Sequence, residues 1–194
     1  MYKYILGSAS PRRKELLGNM GLDFEIVVSD CDEAVTKTEP HDIVKELSLL
    51  KASDVKSKIL PNEEGVIIIA ADTLVFLGNE RLGKPKDKED AKAMLRRLSG
   101  NSHSVITGVT IMKSQGNVWE SVTFSEETKV LFAKLDENEI DTYVNTGEPM
   151  DKAGSYAIQG IGAKFVTGID GDYSNVVGLP VPALYKELRK RGWI

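Results

Sequence analysis

The chain has 194 residues, 41% hydrophobic and 28% charged, which suits one domain of ordinary size with enough chain to bury a core. A formal net charge of −4 disfavours a general nucleic-acid binder. A single cysteine, Cys31, excludes an internal disulfide, the start of the chain is too short in apolar residues for a signal peptide, and no apolar run reaches the roughly 20 residues of a membrane span, so a soluble cytoplasmic protein is expected.

In chain order, Tyr4-Ile5-Leu6 reads as a strand, and Ser10 with Pro11 supplies an N-cap and first position for a helix that Gly18 or Gly21 ends. A short strand over 24–28 precedes an acidic loop, Asp30-Cys31-Asp32-Glu33. The apolar spacing over 42–59 predicts a helix that carries Lys51 near one edge. Residues 66–71 form a continuous apolar run, the pattern of a strand buried on both faces, and it ends at Asp72-Thr73. A hairpin is predicted around Gly78-Asn79, then an amphipathic helix over 87–99 with Gly100 as its C-cap glycine. Alternation over 104–112 and 118–135 predicts long antiparallel strands joined through Gln115-Gly116-Asn117. Asp136 and Glu139 make a capping-box start for a helix ending at Gly147. Loops around short strands fill 154–178, and a helix over 181–191 follows. One α/β domain with a mixed sheet is expected.

The first chemical candidate is the stretch from Ser8 to Arg13. Arg12 and Arg13 fall in the first helical turn, which already carries partial positive charge and unpaired N–H groups. Two guanidinium groups there cost roughly 0.3–1 kcal/mol each unless an anion is bound. Serine hydroxyls, free backbone donors and paired arginines at a strand's C-terminal end describe a phosphate site; the plainer alternative is two solvated arginines.

Asp72 is the second candidate, as a metal ligand or as a base that orients water, against a plain turn former. An ordinary aspartate, with a pKa of about 3.9, is a weak base at neutral pH, whereas metal ligation needs no pKa shift. The acidic loop offers oxygen donors suited to Mg²⁺, although such loops are commonly just solvated. The segment 78–85 approaches P-loop spacing but ends in Pro85 where a hydroxyl must hold Mg²⁺, so it is no Walker A site; Lys84 can still meet a phosphate as a point charge. His41 and His103 lack zinc spacing, His103 reads as structural, and no GxSxG elbow is present.

Ser8-Ala9-Ser10-Pro11-Arg12-Arg13-Lys14-Glu15-Leu16-Leu17, Ala71-Asp72-Thr73, Gly83-Lys84-Pro85, Glu148-Pro149-Met150-Asp151-Lys152-Ala153-Gly154 and the run from Ile169 to Pro180 closely resemble the Maf family, over almost the whole chain. The resemblance implies one Maf-like domain over 1–194, with a long mixed twisted sheet flanked by helices and two lobes around a cleft, as in inosine triphosphate pyrophosphatases. It implies hydrolysis of a nucleoside triphosphate to the monophosphate and pyrophosphate, dependent on Mg²⁺ or alternatively Mn²⁺. Carried over by position, Asp72 is similar to the family's proton acceptor, and Arg12, Thr73 and Gln159 to its specificity positions. That combination is similar to the subgroup acting on dTTP and UTP, which would keep non-standard nucleotides from being incorporated. A Gln159 amide can donate and accept, as the carbonyl and N–H edge of uracil or thymine requires.

Ser8, Arg13, Glu33, Lys51 and Lys84 match positions that line the family's site. Arg12, Arg13, Lys51, Lys84 and Ser8 would hold the triphosphate, and Glu33 with Asp72 the metal. The expected partner is a small nucleotide, with neither nucleic acid nor membrane, and the long strands could present a homodimer edge. The rival readings are a pyrophosphatase for other modified nucleotides and a nucleotide-sensing regulator of cell division or septum formation.

Overall fold

In a computed structural model, which describes residues 2–60 and 63–194, the opening apolar run forms strand β1 (Lys3–Leu6) and leads to helix α1 (Pro11–Gly18). Ser10 caps α1 as expected, its side chain accepting a hydrogen bond from the Arg13 backbone N–H. Strand β2 (Phe24–Ile26) and strand β3 (Val66–Leu77) both pair parallel with β1. Helix α2 (Pro40–Ser57) lies between them in sequence, and it starts two residues earlier than predicted because Pro40 has its φ preset for the first turn. Strand β4 (Glu80–Leu82) pairs antiparallel with β3. Helix α3 (Lys88–Leu98) is capped by Asp87. The predicted long strands are β5 (Ser102–Gln115) and β6 (Val118–Phe132), and helix α4 (Glu137–Asn145) opens with the predicted capping box. Three 3₁₀ stretches, strand β7 (Val166–Asp170), helix α5 (Tyr173–Val177) and helix α6 (Val181–Lys190) complete the chain. The strand order is β2-β1-β3-β5-β6-β7 with β4 on β3, and β7 runs antiparallel to β6, so the sheet is mixed.

Two further expectations are corrected: residues 154–178, read as loops around short strands, hold one strand, β7, and the helix α5, and the end of the third strand moves. The third strand does not end at Asp72 and Thr73; it continues to Leu77. Beyond Ile69 it has lost its partner β1, but from Val75 it gains β4, with Val75 opposite Leu82. Leu74, Val75 and Phe76 are buried, so the apolar pattern carries on through the two polar residues.

The chain forms two compact units. The first comprises Met1–Thr73, Thr107–Glu126 and Gly178–Ile194, the second Leu74–Ile106 and Glu127–Val177. In the first, strand residues point alternately to two cores. Ile67, Ile69 and Ala71 pack with Leu17 of α1, Leu184 and Leu188 of α6, and Trp193. Val66, Ile68 and Ala70 pack with Ala52 and Val55 of α2. Helix α2 sits hard against β5 at Gly108, where an added Cβ would fall 2.1 Å from the Val44 carbonyl oxygen.

The second unit has its own core, in which Leu95 and Leu98 of α3 and Ile140, Tyr143 and Val144 of α4 cover Val75, Val105, Val130 and Phe132. His103 is buried there, its Nε2 2.8 Å from the Tyr156 hydroxyl, which fits the structural role expected of it. Burial pulls its pKa down to about 4. Among the described residues, no helix is long and apolar enough to cross a membrane.

Candidate active site

The alternation of β3 decides where its two polar residues go. Asp72 continues the series Ile68, Ala70 and so faces α2; Thr73 continues Ile69, Ala71 and so faces α1 and the approach to α6. Asp72 is 7% exposed, and its Oδ1 lies 2.5 Å from the ammonium of Lys51 on α2. The same ammonium lies 3.0 Å from Glu33 Oε1. One cation thus gathers a largely buried carboxylate from the sheet and a half-exposed one from the acidic loop.

That loop is tied to α2 on both sides of Glu33. On the near side Lys58 donates to the Val28 carbonyl (2.8 Å) and to Asp30 (2.9 Å), while Asp54 accepts from the Asp30 backbone N–H (2.9 Å). On the far side Glu46 accepts from the Thr36 N–H and hydroxyl, both at 2.8 Å, and from the Lys37 N–H at 3.1 Å. The Thr36 bonds hold the Glu46 carboxyl below its ordinary pKa. These ties are exposed and individually weak. Their joint effect is to limit where Glu33 can go.

On the opposite face, Thr73 meets the second arginine. Arg13 Nε donates to the Gly178 carbonyl (2.8 Å), Nη1 to Ser8 Oγ (3.3 Å) and Nη2 to Thr73 Oγ1 (3.0 Å). The Thr73 hydroxyl also lies 2.9 Å from that of Thr107. Burial lowers the Arg13 pKa from its ordinary value, against the opposing pull of the Asp72 charge. Arg13 is therefore tied down by neutral oxygens, with two of its five N–H groups left over. Arg12 has no hydrogen-bond or ion-pair partner among the described residues and projects from the same helix turn. Ser8, Arg12, Arg13, Glu33, Lys51, Asp72 and Thr73 all belong to the first unit.

Lys84 and Gln159 belong to the second. Both are exposed, and neither side chain has a partner among the described residues. Gln159 stands in a turn held by the Tyr143 hydroxyl, which accepts from the Ala157 N–H (3.2 Å), and by Glu148, which accepts from the Ile161 (3.0 Å) and Gly162 (2.9 Å) N–H groups.

Asp72 and Glu33 fit a divalent cation of the hard, oxygen-seeking kind. Both are carboxylates and one nitrogen reaches both, which is compatible with ligands shared by a single ion. Among the described residues no cluster of three or more His, Cys, Asp or Glu forms a complete metal cage. Two carboxylates with the remaining positions left to water and phosphate oxygens is the usual donor set for Mg²⁺.

A family profile described as Maf-like protein matches residues 3–191. The chain belongs to the Maf family. It is 50% identical over 203 residues to a protein of Agathobacter rectalis named dTTP/UTP pyrophosphatase, covering 99% of this chain and 98% of that one. It is 48% identical to a protein of that name from Lachnoclostridium phytofermentans (99% and 96% covered) and 50% identical to one from Bacillus cytotoxicus (98% and 96%). A solved structure of a nucleoside-triphosphatase / dITP/XTP pyrophosphatase from Mycobacterium abscessus aligns over 97% of both chains with a TM-score of 0.48 and 15% identity.

In this Maf chain the sequence pattern missed the Gly178 carbonyl that anchors Arg13, the Glu46 and Asp54 ties on the Glu33 loop, and the Tyr143–Glu148 support beneath Gln159. Glu148 and Gly178 carried a signal, because each lies in one of the motifs that resemble the family.

Proposed function

We propose that this Maf protein is a dTTP/UTP pyrophosphatase that hydrolyses the α–β phosphoanhydride to a nucleoside monophosphate and pyrophosphate, modified pyrimidine nucleotides included. The observation that carries the reading is Lys51 holding Asp72 and Glu33 together, in a chain half identical over its whole length to relatives of that name. Asp72 accepts a hydrogen bond from the attacking water and aims its lone pair at the α-phosphorus. The water oxygen–phosphorus bond forms as the bond from the α-phosphorus to the bridging oxygen breaks. Pyrophosphate leaves with that electron pair, and the water proton passes by way of Asp72 to solvent.

Among the described residues the Arg12 side chain has no hydrogen-bond or ion-pair partner, which leaves it to meet the triphosphate at the start of α1. Arg13, steadied by Ser8, Thr73 and Gly178, lends its two remaining N–H groups, and Lys51 and Lys84 add positive charge. In this reading Thr73 influences specificity by fixing Arg13, and the Gln159 amide reads the pyrimidine edge. When bound, Mg²⁺ or Mn²⁺ held by Glu33 and Asp72 would supply charge neutralisation on the phosphate oxygens.

A panel of UTP, dTTP, CTP, ATP, GTP and 7-methyl-GTP with Mg²⁺, scored by pyrophosphate release, tests this reading. UTP and dTTP are expected to lead, and a chelator should abolish turnover until Mg²⁺ is restored. If GTP derivatives exceed UTP and dTTP more than tenfold, the substrate assignment is wrong. Tight UTP binding without hydrolysis would instead make the protein a sensor.

A further inference from the structure

Gln159 is exposed and has no side-chain partner among the described residues, yet the backbone around it is held on both sides. Before it, the Ala157 N–H donates to the Tyr143 hydroxyl at 3.2 Å. After it, the Ile161 N–H donates to Glu148 Oε2 at 3.0 Å and the Gly162 N–H to Oε1 at 2.9 Å. The two holding groups are themselves joined, since the Tyr143 hydroxyl donates to Glu148 Oε1 at 2.8 Å. Tyr143 is buried in the core of the second unit, edge-on to Phe165 at 5.1 Å between ring centroids, so the pair is rooted and not adrift on the surface. The turn passes so close to the carboxylate that a Cβ on Gly160 would lie 2.5 Å from Oε2.

An amide is ambidextrous. Turned over, it presents the reverse order of donor and acceptor, so a loosely held glutamine can pair with uracil or with cytosine. A fixed backbone sets where the amide stands along the base edge, and so which of the base's donors and acceptors its two arms can reach. We infer that Tyr143 and Glu148 are specificity-determining positioning residues: by bracketing the Ala157-to-Gly162 turn they aim the Gln159 amide at a uracil or thymine edge. The inference rests on the proposed reading of Gln159 as the base-reading residue. The carboxylate is held ionised: the Ile161 and Gly162 N–H groups and the Tyr143 hydroxyl together outweigh its partial burial, and its pKa lies below the ordinary value. It therefore keeps its full accepting power at neutral pH.

The test compares kcat/KM for UTP and CTP in wild type, Gln159→Ala, Tyr143→Phe, Glu148→Gln and Gln159→Ala combined with Tyr143→Phe. Tyr143→Phe keeps the ring and removes only the hydroxyl; Glu148→Gln turns one acceptor of the clamp into a donor facing an N–H. Each single variant is expected to lower the UTP-to-CTP preference about tenfold, the size of one hydrogen bond, and to act more on KM than on kcat. The double variant should lose no more preference than Gln159→Ala alone. If Gln159→Ala collapses the preference while Tyr143→Phe and Glu148→Gln lower activity on both nucleotides equally, the clamp is merely structural and this inference fails. If Gln159→Ala leaves the preference intact, the base-reading role itself fails and takes the inference with it. Hydrogen exchange on the unmodified protein gives an answer that needs no variant to fold: the Ala157, Ile161 and Gly162 amides should be protected, and exchange at the rate of open loops would overturn the clamp.

Discussion

Asp72→Asn separates chemistry from stability, and the structure sets both magnitudes. The Asp72 and Lys51 side chains are 11% and 15% exposed and 2.5 Å apart, so the pair is substantially desolvated. Stripping one partner from such a pair usually costs 3–5 kcal/mol, roughly, because the other charge is left buried alone. Here Lys51 keeps Glu33 at 3.0 Å, and asparagine retains the shape and a carbonyl acceptor. The expected loss is therefore smaller, about 1–3 kcal/mol. For a chain of this length that is a fall in Tm of roughly 2–4 °C per kcal/mol. Domains have about 5–15 kcal/mol in hand, so the variant stays overwhelmingly folded at 25 °C. The loss of turnover should be far larger, on the order of 10²–10³, because an amide cannot take up the water's proton and the phosphate-facing charge changes. Pyrophosphate release at saturating UTP and Mg²⁺, measured well below the Tm of the variant, reads the second number; thermal unfolding reads the first. Turnover within threefold of wild type would remove Asp72 from the mechanism. A loss that merely follows the unfolded fraction would reduce Asp72 to a structural partner of Lys51.

Arg12→Ala should weaken activity on UTP while leaving stability within about 0.5 kcal/mol, whereas Arg13→Ala should lower both because three hydrogen bonds go with it; equal Tm values for the two would contradict the division of labour. Gly108→Ala places a methyl 2.1 Å from the Val44 carbonyl, so α2 must move outward; a stability loss of about 1–3 kcal/mol and a fall in kcat are expected, checked by urea unfolding and UTP turnover. His103 has a folded-state pKa near 4 against 6.5 unfolded, so the unfolded chain takes up a proton first and stability falls as pH drops from about 6.5 to 4, by on the order of 3 kcal/mol in all. His103→Gln should flatten that slope in urea titrations at pH 7, 5.5 and 4.5, and an unchanged slope would assign it to other groups.

What the sequence made legible was mostly local. Ser10 and Pro11 predict the start of α1, Asp136 and Glu139 that of α4, and six apolar residues after Gly65 a buried strand, because caps and apolar runs act within a few residues. The continuation of β3 past Asp72 and Thr73 is not legible in two polar residues that interrupt an apolar run, because it depends on tertiary partners: the strand pairs with β5 as well as β4, and its two polar side chains meet Lys51 and Arg13. The ties on the Glu33 loop were hidden for the same reason: Thr36 and Glu46 are ten residues apart in chain and meet only across a helix face.

The arginine pair shows the limit most sharply. Arg12 and Arg13 look in sequence like one doubled charge at a helix start. Successive helical residues are about 100° apart around the axis, so adjacent side chains cannot serve the same point from the same side. That much follows from helix geometry alone. Which arginine turns inward does not follow, because the acceptors of Arg13 stand 5, 60 and 165 residues away at Ser8, Thr73 and Gly178. Once those acceptors are in place, the unfavourable charge at the helix start is partly compensated for Arg13 and, among the described residues, left uncompensated for Arg12. The inferred need for an external anion then rests on Arg12, which makes it the residue whose removal should most cleanly reveal the phosphate site.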